Sequence, residues 1–221
     1  MIKRLLIVIP ALNEQSTITP IIQNSICFGD ILVIDDGSTD KTRNFAKAEG
    51  AFVISNLKVR GYEYSLNVGY FHAISNNYDA MITIDADGQL PTKRIPDFIN
   101  ALESGANLVV GKRKKLMRIC ERILSFWSKR LIGITDPYCG MKGYDLRLII
   151  NKKKFSKYNS IGTSLAFDYV DYNARVVNIE IETNKRNGKS RFGGIIKSEF
   201  NLFLSMLVGL YRLLKIYKKK N

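Results

Sequence analysis

Four short apolar runs rich in β-branched residues, Leu5–Ile9, Ile31–Ile34, Ala51–Ser55 and Met81–Ile84, alternate with helical stretches along the first part of the chain. Each run is short and bounded by turn or polar residues, so each reads as a buried parallel strand. The segments between them carry helix start and stop signals: Thr17–Ile26 opened by Ser16, Lys41–Glu49 ahead of Gly50, and Tyr64–Ser75. Strand alternating with helix implies right-handed crossovers and an α/β fold with a doubly wound sheet. In such sheets ligands bind outside the carboxyl ends of the strands. The chemically loaded segments Pro10–Glu14, Asp35–Ser38 and Asp85–Gln89 all fall at such ends.

Asp85-Ala86-Asp87-Gly88-Gln89 carries the sharpest chemistry. Carboxylates two residues apart at a strand end both reach one cation once the chain bends, and Gly88 is suited to supply that bend. Carboxylate and amide oxygens favour Mg²⁺ or Mn²⁺ over zinc, and such an ion neutralises a diphosphate leaving group. The competing reading of an isolated Asp-x-Asp-Gly is a solvated turn. Three such segments at neighbouring strand ends weigh against it.

Further along, Pro96–Ser104 reads as a helix, Asn107–Gly111 as a strand, and Val176–Thr183 as a returning strand before an Asn187-Gly188 turn. Lys114–Leu131 reads as a basic helix with Leu116, Ile119, Ile123, Phe126 and Trp127 on one side, facing either the core or a membrane surface. Ile195–Tyr217 sets Phe200, Phe203, Leu204, Leu207, Leu210, Tyr211 and Leu214 at helical spacing, with Asn201, Ser205, Arg212, Lys215 and Lys219 opposite. Its longest uncharged stretch, Phe200–Tyr211, is too short to span a bilayer, and a basic apolar helix of this kind suits an interface. Packing on the rest of the chain, or a homo-oligomer contact, is the competing reading. The expected division is a catalytic domain over 1–193 and a basic amphipathic helix over 194–221.

The net charge of +14 in 221 residues calls for an anionic partner: phosphorylated substrates, an anionic membrane surface or nucleic acid. Nucleic acid would account for the charge but not for the ordered acidic motifs. Cys27, Cys120 and Cys139 are widely spaced and odd in number, as expected of reduced thiols in the cytoplasm. Met1–Leu12 superficially resembles a signal peptide, but its apolar run meets Pro10 and then Asn13-Glu14-Gln15, as a buried first strand would.

Val8-Ile9-Pro10-Ala11-Leu12-Asn13-Glu14, Val33-Ile34-Asp35-Asp36-Gly37-Ser38-Thr39-Asp40, Asp85-Ala86-Asp87-Gly88-Gln89 and Arg186-Asn187-Gly188-Lys189-Ser190-Arg191 occur in this order. Together they resemble the family 2 glycosyltransferases, most of all the dolichyl- and polyprenyl-phosphate sugar synthases. The resemblance covers roughly residues 1 to 193. It implies a GT-A fold, an inverting reaction, a nucleoside-diphosphate sugar donor, and Mg²⁺ or Mn²⁺. It further implies that Pro10, Ala11, Asn13, Glu14, Asp35, Asp36 and Asp85 lie at the donor, and that Asp85, Asp87 and Gln89 hold the metal. Asp136, in Asp136–Tyr144, matches a carboxylate near the acceptor, and Arg113, Lys142, Arg186, Lys189 and Arg191 are candidates for acceptor phosphate. Asp87, Asp136 and Arg186 are the residues expected to carry catalysis.

The Gly61–Gly69 stretch departs from the family's Gly-rich loop, since Glu63 stands where a small residue is common and Ser65 replaces alanine. His72, the only histidine, reads as structural. A lipid-phosphate acceptor would need positioning and no base, whereas a saccharide hydroxyl would need one, with Asp136 or Asp168 as candidates. The expectation is a peripheral enzyme at the cytosolic membrane face that makes a polyprenyl-phosphate sugar, with surface-polysaccharide synthesis on a hydroxyl acceptor as the alternative.

Overall fold

The computed structural model describes residues 1–116, 118–149, 162–184 and 195–220. Its sheet has seven strands: β1 (Leu5–Ala11), β2 (Asp30–Asp35), β3 (Phe52–Ser55), β4 (Ala80–Thr83), β5 (Leu108–Arg113), β6 (Lys142–Asp145) and β7 (Val176–Ile181). They lie in the order β3-β2-β1-β4-β6-β5-β7, and β6 alone runs against its neighbours. The helices are α1 (Ile18–Gln23), α2 (Thr42–Ala48), α3 (Tyr62–Ser75), α4 (Ile95–Glu103), α5 (Ile119–Ile132), α6 (Ser164–Asp171) and α7 (Ile195–Lys220).

Every residue of β1 is buried, as a central parallel strand requires. Its side chains alternate between two cores. Leu5, Ile7, Ile9 and Ala11 pack with Ile18, Ile22, Phe98 and Leu102 on the face covered by α1, α2 and α4. Leu6 and Val8 belong to the other core, with Tyr70, Leu124, Phe167 and Leu213 from α3, α5, α6 and α7. The sheet is therefore a middle layer between two helical layers, as the strand-helix alternation predicts.

Two elements differ from the sequence expectation by their presence. Lys142-Gly143-Tyr144-Asp145 lacks any β-branched run, yet β4 and β5 flank it and supply its antiparallel partners on both sides. Every side chain of α6 is buried up to Val170, so it shows no polar face from which a helical period can be read.

The C-terminal helix corrects one expectation. It is continuous over Ile195–Lys220, and Glu199–Lys219 is long and apolar enough to cross a membrane by length and composition. Arg212, the charge that ends the uncharged stretch Phe200–Tyr211, is buried and bonded to Asp168. The face of α7 that turns inward is the one that carries Ser205 and Arg212. Leu202, Ser205, Met206, Arg212, Leu213 and Ile216 are buried, while Phe203, Leu207, Tyr211 and Leu214 are exposed. The apolar stripe thus points outward. On α5 as well, Ile119, Ile123, Phe126 and Trp127 are exposed, and Leu124, Ser125 and Ser128 turn to the core.

Candidate active site

The carboxyl ends of β1, β2 and β4 meet at one rim of the sheet. Backbone bonds stitch them, with the Asp36 N–H donating to Ala11 O at 2.8 Å and the Ile84 N–H to Val8 O at 3.1 Å. Beyond β1 the chain turns through Asn13, whose φ of 54° is left-handed. The Asn13 side chain accepts the Thr39 N–H at 2.8 Å, and the Asn13 N–H donates to Ser38 Oγ at 2.9 Å. The Glu14 N–H donates to Thr42 Oγ1 at 2.7 Å, and Thr17 Oγ1 donates to Glu14 Oε2 at 2.9 Å. Thr17 Oγ1 also lies 2.6 Å from Ala86 O, which ties this loop to the Asp85–Gln89 turn.

After β2, Asp35 Oδ1 accepts the Ser38 N–H at 3.0 Å and so holds the turn that follows the strand. Asp36 is buried and its carboxylate gathers the following segment. It accepts Asn56 Nδ2 at 2.8 Å, the Arg60 N–H at 2.8 Å and the Gly61 N–H at 2.7 Å. Next to it lies an open cavity of about 560 Å³ lined by Ser55, Asn56, Leu57, Lys58, Arg60 and Tyr64.

After β4, Gly88 adopts φ 75°, and the Gln89 N–H donates to Asp87 Oδ1 at 3.1 Å. Asp85 is half-buried and Asp87 is buried. Asn184, past β7, clasps this turn through its N–H on Gln89 O at 2.9 Å and its Nδ2 on Gly88 O at 3.2 Å. Gly140 is pressed against Asp85: a Cβ there would fall 2.1 Å from Asp85 Oδ2. Tyr62 closes the other side, its hydroxyl donating to Asp85 Oδ1 at 2.7 Å. Among the described residues no group of three His, Cys, Asp or Glu side chains converges. Asp85 and Asp87 are hard oxygen donors on one turn, a donor set whose chemistry fits a divalent ion such as Mg²⁺ or Mn²⁺.

The acceptor-side expectations fare differently. Asp136 is 1% exposed, and its carboxylate takes Arg113 Nε at 2.7 Å and a terminal Arg113 nitrogen at 2.9 Å. Arg113 also reaches Glu121 at 3.3 Å. Burial works against the Arg113 charge, but the bonds and charge of Asp136 outweigh it and push the guanidinium pKa up. The two residues assigned to the acceptor therefore spend their polar groups on each other. Lys142 is likewise 2% exposed and donates to Cys139 O and, at 3.3 Å, to Gly162 O. Burial holds its pKa below the ordinary lysine value. Asp168, the other candidate base, is buried against Arg212 of α7. Arg186, Lys189 and Arg191 lie outside the described residues.

Sequence reasoning missed Tyr62 as a member of the site. Glu63, the departure from the Gly-rich pattern, accepts the Gly162 N–H, so it fastens α3 to the turn that opens α6. His72 is half-buried, with burial lowering its pKa, and sits away from the rim within α3.

The sequence model of glycosyl transferase family 2 matches residues 6–158, which include β1 to β6 and the whole rim. The chain belongs to glycosyl transferase family 2. An uncharacterized protein of Methanocaldococcus jannaschii, MJ1222, is 31% identical over 170 residues, 69% of this transferase and 70% of that protein. The undecaprenyl-phosphate 4-deoxy-4-formamido-L-arabinose transferase of Shewanella sediminis is 26% identical and covers 95% of this chain and 69% of its own. Among solved structures, glucosyl-3-phosphoglycerate synthase from Mycobacterium tuberculosis, in complex with Mn²⁺, UDP and phosphoglyceric acid, superposes with a TM-score of 0.74. That match has 19% identity and covers 95% of this transferase and 78% of that chain, so it shows a shared GT-A-like fold.

Proposed function

We propose that this transferase moves a sugar, with inversion, from a nucleoside-diphosphate donor to a polyprenyl phosphate at the cytosolic face of a membrane. The observation that carries the choice of acceptor is the fate of the two candidate bases. Asp136 is occupied by Arg113 and Asp168 by Arg212, both buried. A hydroxyl acceptor needs a carboxylate to remove its proton, whereas a phosphate monoester oxygen is already an anion near pH 7 and attacks when held in line with C1. Relatives that act on undecaprenyl phosphate support the same choice.

In this reading the nucleoside end of the donor occupies the cavity beside Asp36, and Pro10, Ala11, Asn13, Glu14 and Asp35 at the ends of β1 and β2 contact the rest of the donor. Asp85 and Asp87, aided by Gln89, hold Mg²⁺ or Mn²⁺ against the diphosphate. The ion, when bound, stabilises the negative charge that grows on the leaving group. Tyr62 and Gly140 fix the orientation of the Asp85 carboxylate. Asn184 holds the turn that presents Asp87. Arg113 and Lys142 shape the acceptor side from beneath through Asp136 and the Cys139–Lys142 backbone. Direct phosphate contact falls to the basic segment Arg186–Arg191.

The test is turnover by the purified full chain with Mn²⁺ or Mg²⁺ and a panel of UDP- and GDP-sugars, with and without a short polyprenyl phosphate. Lipid-linked sugar that forms only with the lipid phosphate present supports the reading. Transfer to a saccharide in its place, lost in Asp136→Asn, would overturn the acceptor assignment.

A further inference from the structure

The two outward apolar stripes on α5 and α7 are the largest feature that sugar transfer leaves unexplained. The helices pack side by side: Leu124 of α5 fills the space where a Cβ on Gly209 would be, and Arg118 pairs with Glu199 at 3.1 Å. The inner side of α7 is fastened along its length. Tyr138 OH bonds Ser205 Oγ at 3.1 Å, Arg212 bonds Asp168 and Ser164 O, and Lys219 bonds Asp171 at 2.8 Å. That inner bonding turns Phe203, Leu207, Tyr211 and Leu214 outward, and Phe126 and Trp127 of the adjoining α5 are exposed as well, with Phe126 64% and Tyr211 61% exposed. Exposed apolar surface of this extent marks a docking face.

We propose that this face docks on an anionic lipid bilayer, with α7 lying in the plane of the interface. The inference deepens the polyprenyl-phosphate reading and rests on it, because an acceptor with a lipid tail is met at a bilayer surface. Charge selects the occupant. Arg122, Lys129 and Arg130 flank the α5 stripe, and Lys215 and Lys218 flank that of α7, all exposed. A second copy docked by two-fold symmetry would bring these basic flanks together, whereas anionic headgroups neutralise them. The inner bonds also decide between lying and crossing. A spanning α7 would have to part Arg212 from Asp168 and carry its guanidinium into hydrocarbon, while a helix left where it is only sinks its outer stripe.

Trp127 is the chain's single tryptophan and sits in the stripe, so it reports docking directly. The experiment mixes the full chain, without sugar donor, with phosphatidylcholine vesicles that contain or lack phosphatidylglycerol. Expected are flotation with the phosphatidylglycerol vesicles only, a blue shift of Trp127 emission, quenching by lipids brominated near the headgroup, and release by alkaline carbonate. The double variant Phe203→Glu, Leu207→Glu should lose at least ten-fold in vesicle affinity at an unchanged melting temperature. No flotation, equal flotation of the double variant, or resistance to carbonate would overturn the proposal. So would a concentration-dependent dimer that the double variant abolishes. Turnover on a short, detergent-free polyprenyl phosphate separates the two claims: retained turnover without flotation sinks the docking face alone, and flotation without turnover on any donor sinks the proposed reaction alone.

Discussion

The Tyr62 hydroxyl sits 2.7 Å from Asp85 Oδ1 and, with Gly140 against the same carboxylate, leaves it one orientation toward the rim. A hydrogen bond to a charged group contributes about 1.5–3 kcal/mol. Tyr62→Phe keeps the ring that packs on Gly162 and removes only the hydroxyl. Donor KM should rise by about ten-fold, with a matching increase in the metal concentration needed for half-activity and a smaller change in kcat. Unchanged donor and metal titrations would show that Asp85 keeps its orientation unaided.

Asp87→Asn preserves an oxygen to accept the Gln89 N–H and deletes the charge. Turnover should fall by at least about 100-fold, several kcal/mol of lost leaving-group stabilisation, while the melting temperature stays within a few degrees. Full activity under a metal titration would sink the assignment of Asp87 to the metal.

Asp168 and Arg212 form a buried ion pair whose side chains are 10% and 6% exposed. Removal of one partner strands the other in a desolvated site, at a cost of about 3–5 kcal/mol. Asp168→Asn should therefore lower the denaturant midpoint sharply, and Asp168→Leu with Arg212→Met should recover much of the loss. If Asp168 were instead the catalytic base, Asp168→Asn would abolish turnover at unchanged stability.

Burial, reinforced by the Asp136 charge, pushes the Cys139 thiol up to about 12. The folded state then holds a proton that the unfolded chain gives up near its ordinary pKa of about 8.5. The thiol's contribution to stability is thus complete below about pH 8.5 and is lost as pH rises toward 12, because the folded state binds more protons over that window. Stability should fall with alkali from about pH 9, and Cys139→Ala should flatten the first part of that limb. At pH 8, a thiol reagent should modify exposed Cys27 and spare Cys139 until the protein unfolds. Rapid labelling of native Cys139 would contradict this.

The parallel half of the fold was legible because buried parallel strands are continuous apolar runs, and such runs mark their own carboxyl ends. That is why Asp35, Asp36, Asp85 and Asp87 could be brought to one rim from sequence. β6 was not legible, since Lys142 and Gly143 gain strand geometry only from β4 and β5 on either side. Which face of α7 turns inward stayed open in the sequence for a related reason. Hydrophobic spacing locates an apolar stripe, but a single buried partner, Asp168 on an unforeseen helix, decides which side turns inward. The Arg113–Asp136 pair was hidden in the same way, because charge in sequence does not disclose whether a guanidinium faces substrate or a carboxylate.

Strand β7 joins the sheet by pairing along the outer side of β5, from Leu108 with Val176 to Arg113 with Ile181. A chain cut after residue 158, where the family match ends, would leave β5 as a bare strand edge. Unpaired N–H and C=O groups beside Leu108, Val109 and Val110 would then recruit strands from other molecules. Soluble expression of such a fragment should fail by aggregation, and any length of chain that stays monodisperse is expected to extend beyond Ile181.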